Sequence, residues 1–147
     1  MGPADSIFTT FDKIYPEIRT LTPNILVDFH AEATAEKRAF AHNCAGKVTA
    51  VLGTHTHIQT ADEELINDTA YITDAGMTGP HDSVIGIKKE IILEKMTSGM
   101  PKRYEVANRG LQINGVAIDF DEKTGRANKI NRIKRKYDDE LGKKIAR

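Results

Sequence analysis

The sequence predicts an α/β fold, in which a mixed sheet containing a βαβ unit is flanked by helices and followed by a carboxyl-terminal group of antiparallel strands. Two nearly continuous apolar runs, 24–30 and 48–52, are typical of parallel strands buried on both faces, and the segment 33–45 has the apolar spacing of a helix. Parallel strands joined by a helix end at the same sheet edge, where ligands bind. Beyond residue 102 apolar and polar residues alternate, which indicates antiparallel strands.

The other elements follow from local patterns. Apolar residues three and four apart predict an amphipathic helix over 7–18, which Pro16 is expected to kink or shorten because proline lacks an amide donor. Residues 69–76 are predicted to form a third strand and 87–96 a further helix. The alternating runs predict antiparallel strands at 102–106, 111–120 and 127–135.

Two segments receive a more specific interpretation. In the helix 33–45, Lys37 is assigned to the polar side together with its neighbour Arg38, and Asp28 in the first strand is expected to be a buried carboxylate with polar partners. We assign residues 1–137 to one domain and the charged residues 138–147 to a tail.

The charge balance argues against electrostatic binding of nucleic acid or membrane. The chain has 21 basic and 21 acidic residues, so its net charge is zero. The segment 123–136 holds seven basic residues and no acidic one, which we interpret as a solvated strand face, with nucleic-acid binding as the alternative. We expect neither nucleic acid nor a membrane as a partner.

Cysteine content and hydropathy bear on the cellular compartment. The single cysteine, Cys44, excludes an internal disulfide and is expected to pack inside the helix 33–45. No run approaches the roughly 18 apolar residues that a membrane span requires, and the amino terminus lacks the pattern of a signal peptide. We therefore expect a cytoplasmic protein.

The candidate functional residues are histidines at the ends of the first two predicted strands. His30 ends the first run, and the second run continues into Gly-Thr-His-Thr-His at residues 53–57, the GTHTH segment, where glycine is expected to turn the chain off the strand. Residues two apart in an extended segment project to the same side, so His55 and His57 should both lie near His30. Three imidazoles at a sheet edge predict part of a metal site. The alternative is a core histidine at position 30 beside a polar loop.

Other catalytic or ligand-binding motifs have less support in the sequence. No nucleophile elbow surrounds Ser83 or Cys44, and the sequence contains no glycine-rich loop of the phosphate-binding types. The loop 76–82, which contains Gly79 and His81, should lie at a strand end near the histidines. Two interpretations of this loop stay open: it contacts a ligand, or it is a solvated turn.

Three segments resemble the YmdB-like family of calcineurin-like metallophosphoesterases: VDFHAEATAEK at 27–37, VLGTHTHIQTAD at 51–62 and AYITDAGMTGPHDSVIG at 70–86. The resemblance implies half of a metallophosphoesterase-type α/β sandwich, and a two-metal phosphodiesterase acting on cyclic nucleotides or related phosphodiesters. The implied metals are iron or manganese, with zinc or magnesium as alternatives. In such sites two cations hold the attacking hydroxide and neutralise charge on the phosphoryl oxygens.

The resemblance also implies roles for individual residues. It assigns His30 and His55 to one metal and His57 to the other, and Thr56, Gly79 and His81 are the candidate substrate-binding residues. We assign no catalytic residue, because the acid of the family is a histidine in a GNH motif and this sequence contains no GNH.

The likeness starts near the middle of the family's sequence, so half of the expected site has no counterpart here. Missing are an aspartate after the family's first strand, a glutamate–asparagine pair and the GNH motif. We therefore expect a partial site with weak metal binding, little phosphodiesterase activity from this chain alone, and an exposed sheet edge. The alternative function is a non-catalytic interaction module that pairs with itself as a homo-oligomer or with a separate amino-terminal half.

Overall fold

The computed structural model describes residues 5–137 of the chain. These residues contain three helices and seven strands. The predicted tail 138–147 lies outside the described residues. The helices are α1 (Ile7–Leu21), α2 (Thr34–Cys44) and α3 (Lys89–Ser98). The strands are β1 (Leu26–His30), β2 (Ala50–Thr54), β3 (Glu64–Ile66), β4 (Thr69–Ile72), β5 (Gly79–Pro80), β6 (Leu111–Phe120) and β7 (Ala127–Lys136).

The strands form two sheets. The first has the order β1-β2-β4-β3, in which β1, β2 and β4 are parallel and β3 is antiparallel to β4. Asn67 and Asp68, both at positive φ, make the two-residue turn between β3 and β4. The second sheet, β5-β6-β7, is antiparallel throughout. The α/β class, the unit β1-α2-β2 and the carboxyl-terminal antiparallel group are thus confirmed.

The four-stranded sheet lies between two other layers. Adjacent residues of a strand point to opposite faces. Val51 and Tyr71 pack on one face with the buried side chains of α1 and α2, whereas Ala50 and Ala70 pack on the other face against Ala127 of β7. Helices α1 and α2 therefore cover one face and the hairpin β6–β7 covers the other.

Cys44 has the packing role that the sequence predicted. Its side chain is fully buried in the core between α2 and the sheet, and burial raises the pKa of the thiol to about 12. No helix in residues 5–137 combines the length and the apolar character needed to cross a membrane.

The strand β1 is not buried on both faces, so that prediction was wrong. Val27 and Phe29 pack toward the helices, and the ring of Phe29 lies 4.6 Å from that of Phe40. Leu26, Asp28 and His30 on the other face are exposed. Within residues 5–137, β1 hydrogen-bonds to β2 alone and is the edge of its sheet. The exposed sheet edge expected from the sequence is therefore present in the described part of the chain.

Two element boundaries differ from those expected. Helix α1 is not shortened at Pro16 but continues to Leu21, because Pro16 lies on the exposed side, where water can reach the carbonyl that loses its amide partner. The segment 102–106 is not a strand. In the described residues only Val106 pairs, in an isolated bridge to Ile87, since no neighbouring segment offers a continuous partner.

Candidate metal centre at the sheet edge

Strands β1 and β2 bring two of the three candidate histidines together. Parallel pairing places His30 opposite Thr54, and these two residues end their strands. His55 follows directly, and its Nδ1 lies 3.3 Å from Nε2 of His30. Both imidazoles are exposed at the carboxyl edge of the sheet, the edge at which the sequence predicted a site.

Thr54 and Asp28 form a short series of hydrogen bonds with His30. Nδ1 of His30 is 3.1 Å from Oγ1 of Thr54, and that hydroxyl donates to Oδ1 of Asp28 at 2.9 Å. Asp28 is exposed rather than buried, but it has the polar partner expected of it. His30 is consequently contacted at both of its ring nitrogens.

His57 takes a different direction from His55. The backbone leaves the extended conformation after Thr54, with φ of 140° at His55 and 66° at His57, so the expectation that both side chains project to one side was wrong. Nδ1 of His57 lies 3.0 Å from the carbonyl oxygen of Ile85. Within residues 5–137 no group of three or more histidine, cysteine, aspartate or glutamate side chains could hold a metal ion.

Positive φ angles concentrate around these histidines. Of the non-glycine residues with positive φ in the described part of the chain, those outside the β3–β4 turn are His55 at 140°, His57 at 66° and Ile85 at 45°. A β-branched residue such as Ile85 rarely adopts this conformation. Strain of this kind persists only where surrounding contacts enforce it, and it is common at functional sites.

A buried ion pair anchors the GTHTH segment from below. Nζ of Lys37 lies 3.3 Å from Oδ2 of Asp74, and both side chains are buried, so the assignment of Lys37 to the polar side of α2 was wrong. Oδ2 of Asp74 also accepts the amide of Thr56 at 2.8 Å, and Oδ1 accepts the amide of Gly76 at 2.9 Å. Asp74 therefore holds the segment that carries His55 and the start of the loop 76–82.

The ionisation of Asp74 follows from these contacts. Burial opposes the charged form, but the amides of Thr56 and Gly76 and the ammonium of Lys37 outweigh it and hold the pKa of the carboxyl below its usual range. Sequence reasoning missed this pair. The available signal was a carboxylate directly after the fully buried strand β4, because a charge in that position needs a partner.

Gly53 has a steric role instead of a turning role. It lies within β2, opposite Phe29, so the expectation that it turns the chain off the strand was wrong. A Cβ at this position would lie 1.8 Å from the carbonyl oxygen of Thr73 and 3.1 Å from Cδ of Lys37. Glycine therefore leaves the space through which Lys37 reaches Asp74.

The three candidate substrate-binding residues lie in two segments that contact each other. The amide of Met77 donates to the carbonyl of His57 at 3.2 Å, so the loop 76–82 adjoins the GTHTH segment as expected. The hydroxyl of Thr56 donates to the carbonyl of Ile58 within its own turn, and Nε2 of His81 lies 3.2 Å from the carbonyl of Met77. Gly79 belongs to β5, and a Cβ there would meet nothing within 4 Å. Their assignment to substrate stays a prediction.

The histidine pair has the spacing of two metal ligands. Two nitrogens each bound to a tetrahedral ion at about 2.0–2.1 Å are roughly 3.4 Å apart, and the facing nitrogens of His30 and His55 are 3.3 Å apart. Imidazole suits zinc and iron among the divalent metals. The donor set thus fits one ion, and the remainder of a full coordination shell must come from other groups.

Comparisons with known proteins agree over nearly the whole chain. A family model described as YmdB-like protein matches residues 1–133. A Bacillus subtilis protein named 2',3'-cyclic-nucleotide 2'-phosphodiesterase is 46% identical over 134 residues, which are 90% of this chain and 51% of that protein.

Two crystal structures are similar in fold. A hypothetical protein from Thermus thermophilus has a TM-score of 0.83 and 36% identity, covering 92% of this chain and 53% of the other. A novel phosphatase from Mycoplasma pneumoniae has a TM-score of 0.82 and 35% identity, covering 91% and 48%. The chain therefore spans about half the length of the relatives that it matches.

Proposed function

The chain belongs to the YmdB-like family, and from that premise we propose that it forms one wall of a dinuclear metal centre that hydrolyses phosphodiesters. The observation that carries the proposal is the pair of facing nitrogens, 3.3 Å apart, on His30 and His55. The name of the Bacillus subtilis relative supports a cyclic nucleotide as the substrate class.

The proposed roles of the histidines follow from their contacts. His30 and His55 bind one ion, iron or manganese, through the nitrogens that face each other. His57 binds the second ion through Nε2, because its Nδ1 is occupied by the carbonyl of Ile85. When bound, such metals lower the pKa of a water nucleophile and neutralise charge on the phosphoryl oxygens.

The remaining residues of the site hold these ligands in place. Asp74 fixes the amide of Thr56, between the two histidines of the GTHTH segment, and Met77 fixes the carbonyl of His57. Since residues 5–137 contain no cluster of three metal-binding side chains, we propose that the chain binds metal weakly and has little phosphodiesterase activity alone.

Calorimetric titration of the purified chain with Mn²⁺ tests the proposed centre. We expect weak but measurable binding that is lost in His30→Ala and His55→Ala and reduced in His57→Ala. His42→Ala is the matched control, because His42 is exposed on α2. Equal binding by all four variants, or no binding by the unaltered chain, would overturn the assignment. Hydrolysis of a 2',3'-cyclic nucleotide, measured in parallel, is expected to stay near background.

The edge strand supports a second candidate, an interaction module in which β1 pairs with β1 of another copy. Within the described residues β1 has a partner on one side only. An apolar groove of about 580 Å³ lies beside it, between β1 and α1, with Ile14 and Leu26 exposed at 47% and 61%. Unpaired strand edges readily pair with other chains.

Sedimentation of the purified chain separates the two candidates. Self-association that is abolished by Leu26→Lys would support the interaction module. Leu65→Lys is the control, because Leu65 is an exposed leucine on β3, at the opposite edge of the same sheet. A monodisperse monomer at high concentration would contradict pairing through β1.

A further inference from the structure

We infer that Asp28 and Thr54 are positioning residues that select which nitrogen of His30 is offered to a metal ion. The metal in this inference rests on the proposed function, but the selection of the nitrogen does not. The contacts behind His30 carry it: Thr54 Oγ1 lies 2.9 Å from Asp28 Oδ1 and 3.1 Å from His30 Nδ1.

The backbone places the three side chains on one face. Asp28 and His30 are two residues apart in β1 and therefore point the same way. Thr54 lies opposite His30 in the register of β1 and β2. The opposite face of β1 carries Val27 and Phe29, which pack toward the helices. The hydrogen bonds that link Asp28, Thr54 and His30 consequently follow from the parallel pairing of β1 and β2.

The direction of the hydrogen bonds determines the tautomer of His30. An ionised carboxylate only accepts, and a threonine hydroxyl has one hydrogen to donate. Because Thr54 donates that hydrogen to Asp28, its oxygen can only accept from His30. Nδ1 of His30 must then carry the proton, and in the neutral ring the lone pair is on Nε2.

The selected nitrogen is the one that faces His55. Nε2 of His30 lies 3.3 Å from Nδ1 of His55. A lone pair on Nε2 can bind a cation shared with His55, whereas a proton there would block it. Partners behind a ligating histidine commonly fix its tautomer in this way, and their loss typically costs about 10- to 100-fold in metal affinity. Since Asp28 and His30 are exposed, water replaces part of the lost contact. We therefore expect metal affinity to fall about tenfold, the lower end of this range.

Replacing Asp28 by asparagine tests the direction of the hydrogen bonds, because the substitution changes which groups can donate but not the shape of the side chain. An amide can donate as well as accept, so Thr54 is released to donate to His30 Nδ1, which favours the tautomer protonated on Nε2. In Thr54→Val both contacts are removed, and in Thr54→Ser the hydroxyl is retained. Asp119→Asn, at an exposed position of β6, is the control for loss of one carboxylate.

The tautomer of His30 is read by long-range ¹⁵N–¹H correlation spectra of the metal-free, ¹⁵N-labelled chain at about pH 8, above the reference pKa of a free imidazole. Spectra of His30→Ala identify the resonances. We expect the Nδ1-protonated form in the unaltered chain, in Thr54→Ser and in Asp119→Asn, and a shift toward the Nε2-protonated form in Asp28→Asn and Thr54→Val. Calorimetry with Mn²⁺ should give about tenfold weaker binding for the last two variants alone.

The outcomes separate this inference from the proposed function. A His30 tautomer that is the same in all variants, or Nε2-protonated in the unaltered chain, overturns the positioning role whatever the metal affinity. A tautomer that responds as expected in a chain that binds no Mn²⁺ supports the positioning role and overturns the proposed metal centre.

Discussion

Lys37 in α2 and Asp74 after β4 form an ion pair that is closed off from solvent, with 3.3 Å between Nζ and Oδ2. The pair lies directly beneath the GTHTH segment, since the same oxygen of Asp74 accepts the amide of Thr56. Stability of the core and placement of the histidines therefore depend on one carboxylate.

Replacement of Asp74 by asparagine should destabilise the chain strongly. Removing one partner leaves the ammonium of Lys37 buried without a counter-charge, which typically costs about 3–5 kcal/mol. Urea unfolding followed by circular dichroism measures the loss. In the double variant Lys37→Met/Asp74→Asn no charge is left unpaired, so we expect it to be more stable than Asp74→Asn alone. Additive losses from the two single variants would contradict the coupling.

Stability should also fall in acid. The pKa values of Asp62 and Asp74 are both held below the ordinary range. Burial raises both values, but the amide and hydroxyl of Thr73 donate to Asp62, and these bonds and those already described for Asp74 outweigh burial. A carboxyl whose folded pKa is depressed stabilises the fold fully above its unfolded pKa of about 3.9. That contribution is lost as the pH falls through the lower folded value.

Urea midpoints measured from neutral pH down to about pH 3 test this acid dependence. The difference in stability between the unaltered chain and Asp62→Asn should shrink toward the acid end, because protonation of Asp62 removes the same hydrogen-bonded anion as the substitution. A difference that stays constant over the whole range would refute the depressed pKa of Asp62.

Gly53→Ala should destabilise the chain far more than Gly115→Ala. The added Cβ at position 53 would lie 1.8 Å from the carbonyl of Thr73, so β2 must move away from the end of β4. We expect a loss at the upper end of the roughly 1–3 kcal/mol typical of overpacking. Gly115 is also a strand glycine, in β6, but its Cβ would meet nothing within 4 Å. Similar thermal midpoints for the two variants would argue against the close approach.

Much of the fold was predictable because hydrophobic periodicity encodes it directly. The runs that became β1, α2 and β2 indicated the βαβ unit, and that unit alone implies that His30 and the GTHTH segment share one sheet edge. Periodicity does not report what covers each face. The exposure of Leu26 and His30 on β1 therefore differed from the expectation of a strand buried on both sides.

The details of the site were less predictable because they depend on contacts between distant residues. The strand β4 ends at Ile72, earlier than expected, since the amides of Thr73 and Asp74 bond to side chains of Asp62 and Thr60 instead of to a neighbouring strand. The direction of His57 depends on the carbonyl of Ile85, which lies 28 residues away in the chain. Neither contact leaves a local pattern in the sequence.

The edge position of β1 has a consequence for local unfolding. In the described residues β1 is hydrogen-bonded on one side only, and strands held in this way open at lower free energy than central strands such as β2. Amide hydrogens of β1 should accordingly exchange with solvent sooner than those of β2. A cation bound by His30 and His55 together would fasten the end of β1 to the end of β2, so occupancy of the site and protection of this strand from exchange should rise together.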